Sequence, residues 1–247
     1  MNRIAPAVDP IAVPLTLAGS SEFPRVATFS QRSLKRAASP SFSTFTPIHY
    51  EAAYAYPLLV WLHSAGGSER ELKQVMPHVS MRNYVAVAPA SKSANSRRPW
   101  RQSPEDIEAA ETSLEYCVSQ AQQEFNIHPR RVFLAGCGRA ATMALRLAWN
   151  NPTRFAGVVA INGALPASWQ PMRRVNELRR VPCLLATSRD HRRYPADRVC
   201  RDLRLLHSAG CTVARRQYPG ADDLTDGMLR DMDRWLMELV CGSRSDS

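Results

Sequence analysis

The stretch Gly136-Cys137-Gly138-Arg139-Ala140 lies between the apolar run VFLA and the helical pattern ATMALRLAW. Small residues two positions to either side of a central residue let a strand reverse sharply into a helix. Such a turn lifts the central side chain clear of the sheet. The chemistry this geometry serves is nucleophilic attack on a carbonyl, by a hydroxyl that an imidazole deprotonates and a carboxylate orients. The central residue here is Gly138, which has no side chain to attack with. Its neighbour Cys137 is the alternative nucleophile, but a thiol attacks only as thiolate, beside a base or in a positive field. The residue before the centre of such a turn faces away from the reaction side, so a buried structural thiol is expected. Arg139 heads the following helix, where first-turn N–H groups can assist it in binding an anion; a solvent-facing arginine is the plainer expectation.

Strands must hold this turn in place. PLLVWLH (Pro57–His63), YVAVAPA (Tyr84–Ala90), RVFLAG (Arg131–Gly136), FAGVVAIN (Phe155–Asn162), VPCLLAT (Val181–Thr187) and TVARRQYP (Thr212–Pro219) are short apolar or β-branched runs. Most are continuous rather than alternating, as in strands covered on both faces. Helical patterns separate them. Ser103-Pro104-Glu105-Asp106 combines a capping serine, a proline at the first helical position and acids in the first turn. ADRVCRDLRLLHSAG ends on a glycine stop, and Met228, Leu229, Met232, Trp235, Leu236 and Leu239 recur at helical spacing. Strands alternating with helices give an α/β fold with a mostly parallel central sheet and helices on both faces.

Residues 1–45 carry proline, serine and threonine without sustained periodicity, so a flexible arm is expected there. A single domain over 46–242 and a disordered tail at 243–247 follow. The prolines at 6, 10 and 14 interrupt any secretory signal, no apolar run reaches the ~18 residues of a membrane span, and a cytoplasmic protein is expected. Six cysteines scattered without a CxxC pair favour free thiols and no zinc site. Neither GxGxxG nor a P-loop is present, so no cofactor is expected. The net charge is +10, with 32 Lys and Arg against 22 Asp and Glu, and only Lys35, Lys73 and Lys92 are lysine. The arginines spread over the chain instead of forming one stripe, which argues against specific nucleic-acid binding.

The segments PLLVWLHSAGGSERELKQVMPHV, IHPRRVFLAG with MALRLAWNNPTRFAGVVAINGALP, and YPGADDLTDGMLRDMDRWLM together resemble the phospholipase/carboxylesterase family of the α/β-hydrolase fold, from about Pro47 to Leu239. The resemblance implies three catalytic positions. The nucleophile's is Gly138. The acid follows CLLAT, at Asp190 or, one residue on, His191. The general-base histidine falls on Asp222, and no histidine follows His207. The oxyanion loop is His63-Ser64-Ala65-Gly66-Gly67, with Ser64 where the family usually has glycine; Ser64, Ala65 and Arg139 are the oxyanion-loop candidates, with His63 an orienting residue.

Loss of nucleophile and base together removes the chemistry, since an ionised carboxylate without a nucleophile has no proton to relay. The expectation is therefore a carboxylesterase- or phospholipase-like pseudoenzyme, acting as a binding or regulatory module for a small-molecule or protein ligand. The alternative is a carboxylic ester hydrolase built around Cys137, Asp190 and Asp222. Asp222, Asp223 and Asp226 could also form an acidic cluster, although capping of the last helix by Thr225 or Asp226 accounts for part of it. Trp100 is expected to pack a loop onto the sheet.

Overall fold

The computed structural model describes residues 40–92, 99–167, 179–221 and 224–242. Seven strands form one sheet: β1 (Phe42–Phe45), β2 (Tyr56–Leu62), β3 (Val85–Pro89), β4 (Ile127–Cys137), β5 (Gly157–Ile161), β6 (Cys183–Ser188) and β7 (Val213–Tyr218). Their spatial order is β1-β3-β2-β4-β5-β6-β7. All neighbouring pairs are parallel except β1 with β3. The described helices are α1 (Leu72–Val79), α2 (Pro104–Glu124), α3 (Arg139–Asn150), α4 (Ala196–Ser208) and α5 (Asp226–Gly242).

Alternation along the strands sorts the core into two layers. Leu58, Val60 and Leu62 of β2 join buried residues of α2, α3 and α4, whereas Leu59 and Trp61 join those of α1 and α5. Both faces are therefore covered, and every residue of β2, β3, β5 and β6 is buried. This is why those strands are apolar without interruption. Helix α2 starts as its sequence dictates: the Ser103 hydroxyl accepts from the Asp106 N–H, and Pro104 opens the first turn. Helix α4 ends at Gly210, whose φ of 69° suits glycine.

Two elements depart from expectation. Residues 42–45, placed in the flexible arm by composition, form β1, paired antiparallel with β3 from Phe42–Pro89 to Phe45–Ala86. The physical reason is the vacant edge of β3, which these four residues satisfy through backbone hydrogen bonds while Phe42 and Phe45 pack against the two core layers. Helix α1 was not marked by the sequence, because Pro77 lies within it and a 3₁₀ turn, Glu69–Glu71, leads into it. The arm before residue 40 and the tail 243–247 lie outside the described residues.

Strand β3 lies on one side of β2 and β4 on the other, and the connections leaving β2 and β4 feed helices on opposite faces. The carboxyl ends of β2 and β4 thus flank the crevice where open α/β sheets bind ligands.

Candidate functional site

The turn between β4 and α3 has the geometry its sequence suggests. Gly138 adopts φ 62° and ψ −117°, a region that strains any residue with a side chain. Its N–H donates to Ile161 O (2.8 Å), which pins the turn to the end of β5. Small residues are sterically required at Gly136 before the turn and at Gly163 in the loop after β5. A Cβ on Gly136 would lie 2.8 Å from the Ala140 carbonyl carbon, and one on Gly163 2.9 Å from Gly138 O. A Cβ on Gly138 itself would meet nothing within 4 Å. The turn is thus closely packed underneath and open above.

Above it lies a pocket of about 290 Å³, lined by residues including Trp100, Gly138, Arg139, Asn162, His191 and Tyr194. Cys137 is not among its lining residues and packs against the α1/α5 layer. Burial, with a further push from the Glu71 carboxylate, raises its thiol to about 12. Few such thiols ionise near neutrality.

In the loop after β6, Asp190 and His191 have different surroundings. Asp190 is exposed and pairs with Arg189 at 3.6 Å. His191 is buried and lines the pocket, and its Nδ1 accepts from the Tyr194 N–H (2.9 Å). In a neutral imidazole that arrangement leaves the proton on Nε2. Asp222 lies outside the described residues, as does Asp223. The segments leading to them are tied to the same loop, through Arg189 N–H to Tyr218 O (2.8 Å) and Asp190 N–H to Gly220 O (2.9 Å). Asp226 forms a surface pair with His78 at 3.1 Å, and the Thr225 hydroxyl caps α5 by accepting from the Met228 N–H. Among the described residues no group of three His, Cys, Asp or Glu is placed to hold a metal ion.

The loop after β2 is held by a carboxylate. Glu71 Oε1 accepts from Trp61 Nε1 (2.9 Å) and the Ser64 hydroxyl (2.9 Å), and the Ser64 N–H donates to both Glu71 oxygens at 3.1 and 3.0 Å. The Ser64 amide is thereby occupied, while Ala65 is exposed. His63 is fully buried: its Nδ1 lies 3.0 Å from Ser64 O, and its Nε2 accepts from the Ser91 N–H (3.3 Å). A carbonyl at one nitrogen and an N–H at the other place its proton on Nδ1, so the ring orients the loop. Trp100 does what a packing tryptophan should, donating Nε1–H to His63 O (2.8 Å), and it also walls the pocket.

Sequence reasoning missed Glu71, Asn162, Tyr194 and Arg198. Asn162 carried a usable signal, an asparagine directly after an apolar strand, since asparagine tolerates the positive φ of 51° found there. Its side chain bridges to β6 through Ser188 N–H (2.7 Å) and Ser188 Oγ (3.0 Å).

A mostly parallel sheet sandwiched between helices, with a strained strand-to-helix turn at the topological switch point, defines an α/β-hydrolase fold. Three solved structures share it. The Bacillus cereus carboxylesterase has a TM-score of 0.65 at 15% identity, over 82% of this chain and 96% of its own. A phospholipase/carboxylesterase from Dyadobacter fermentans has 0.60 at 18% identity, over 81% and 97%. SOBER1 of Arabidopsis thaliana has 0.63 at 17% identity, over 75% and 100%. Residues 67–232 match the model of the phospholipase/carboxylesterase family, and the chain belongs to that family. No curated protein matches the sequence.

Proposed function

We propose that this family member binds a small ligand in the crevice over Gly138 without hydrolysing it. The observation that carries this reading is the elbow: a strained turn at the position of a nucleophile, occupied by glycine with φ 62° and open space above it. In characterised serine hydrolases, removing the nucleophile costs on the order of 10⁶ in turnover, leaving only binding and oxyanion effects. His191 supports the same reading, because its Nδ1 is already an acceptor and its Nε2 carries the proton in the neutral ring. The Ser64 amide, engaged by Glu71, offers little to an oxyanion. The free thiols favour the reducing cytoplasm as the place of work. Among the described residues no helix is long and apolar enough to cross a membrane. Purified protein assayed with p-nitrophenyl butyrate should release nitrophenol no faster than an equal amount of denatured protein. Saturable turnover that survives repurification overturns the proposal, and its loss in Cys137→Ala would then install the thiol as nucleophile.

A further inference from the structure

Building on that reading, we propose that the ligand is a small oxyanion, a carboxylate or phosphate carrying at most a short apolar group, with its charged head over the N-terminus of α3. Four observations converge on it. Helix α3 has no side-chain cap: its N-cap residue is Gly138, so no side chain of that residue receives the first-turn N–H groups, and Gly138 and Arg139 at this helix start line the pocket.

The walls carry the matching charge. Arg139, Arg193 and Arg198 all line the pocket, and among its described lining residues there is no Asp or Glu. None of the three guanidinium groups makes an ion pair or side-chain hydrogen bond with a described residue, although elsewhere Arg154, Arg201 and Arg234 pair with carboxylates. Three cations around one small cavity repel one another, and an anion relieves that repulsion while forming charge-assisted hydrogen bonds.

A third feature is polar and buried. Tyr194 is 2% exposed and lines the pocket, and its hydroxyl faces the Asp202 carboxylate. Burial and the nearby Asp202 carboxylate hold that hydroxyl protonated, so it remains a donor. One Asp202 oxygen accepts from the Leu165 N–H (3.0 Å), and this carboxylate does not line the cavity. The fourth observation is size. About 290 Å³ sits at the lower end of small-molecule sites, and Trp100, Ala164 and Leu165 supply room for a few carbons only.

The test uses the full-length protein labelled with ¹⁵N, titrated separately with butyrate, its neutral isostere butyramide, and inorganic phosphate, and followed at the Gly138 amide. Butyrate, phosphate or both should shift that resonance saturably, and butyramide should bind at least about tenfold more weakly. A response to butyrate alone identifies a carboxylate ligand, and one to phosphate alone a phosphate. The double variant Arg193→Gln/Arg198→Gln should weaken anion binding about tenfold or more, because both side chains are exposed and their loss leaves the core intact. Arg189→Gln, outside the pocket, should bind as the parent does. Butyramide binding as tightly as butyrate, or the double variant binding like Arg189→Gln, overturns the anion assignment. So does a Gly138 amide that none of the three compounds shifts. Failure of the non-hydrolytic reading appears separately, as turnover in the ester assay.

Discussion

At the scale of single residues, Gly138 tests what the turn demands. Serine placed there would have room, since its Cβ meets no atom within 4 Å, so any cost is backbone strain alone. The variant Gly138→Ser should lose about 1–2 kcal/mol, read as a lowered urea midpoint with unchanged slope. It should remain without esterase activity, because His191 offers no free acceptor nitrogen in its neutral ring. A serine variant as stable as the parent would mean that the turn is unstrained; a serine variant that hydrolyses esters would mean that a base is within reach. The position of Gly138 was legible because the constraint on it is local: small residues at 136 and 140 and a strand-to-helix boundary stand in one short stretch. The identity of the residue after β6 that meets the pocket was not legible. Asp190 and His191 are neighbours, and only the backbone path fixed by Arg189 N–H to Tyr218 O decides which one turns inward. Glu71 escaped notice for a related reason. A glutamate eight residues past His63 looks like a solvated helix-start acid until folding brings Trp61 and Ser64 to it.

Among the elements, those with buried faces announced themselves and those held by backbone pairing did not. Strands β2, β3, β5 and β6 are largely apolar because both sides are covered, and α2 and α5 carry caps and periodic apolar positions. Strand β1 has neither signal: FSTF is only half-buried and gains its place from the free edge of β3. Its contribution is measurable by comparing two truncations, one beginning at Ser39 and one at Thr46. The shorter chain loses the β1–β3 pairing and the edge-on contact of Phe42 with Tyr116 of α2 (5.8 Å), and bares the β3 edge. Its melting temperature should fall about 5 °C or more below that of the longer chain, with a greater tendency to aggregate. Coincident melting curves would show that β1 adds nothing to the sheet.

Over the whole molecule, charge and burial each set an expectation. The excess of basic residues gives a net charge of +10, yet at the pocket the arginines face one small cavity, and elsewhere they are spread or paired with acids. Association with duplex DNA should therefore be weak, indifferent to sequence, and should fall steeply between low and physiological salt as counterions are released. A tight, sequence-selective complex at physiological salt would refute this. Burial acts on the thiols. It pushes Cys117 and Cys137 up to about 12 and raises Cys183 and Cys211 as well, with Glu71 adding to the shift of Cys137. In the unfolded chain such thiols titrate near ~8.5. Below that value both states are protonated and the full stability is present. As pH rises further, the unfolded chain releases protons that the folded protein retains, so stability declines, by at most about 1.4 kcal/mol per pH unit for each buried thiol. The urea midpoint should thus drop between pH 8 and 9.5, before Tyr84, Tyr194 and Tyr218, raised mainly by burial, add their own losses at higher pH. In Cys117→Ala the midpoint starts lower, because a packed atom is gone, but the decline with pH should be shallower by that one thiol. A midpoint that stays level to pH 9.5 would show that the thiols titrate alike in both states, and that the layers beneath the pocket are wetter than their packing implies.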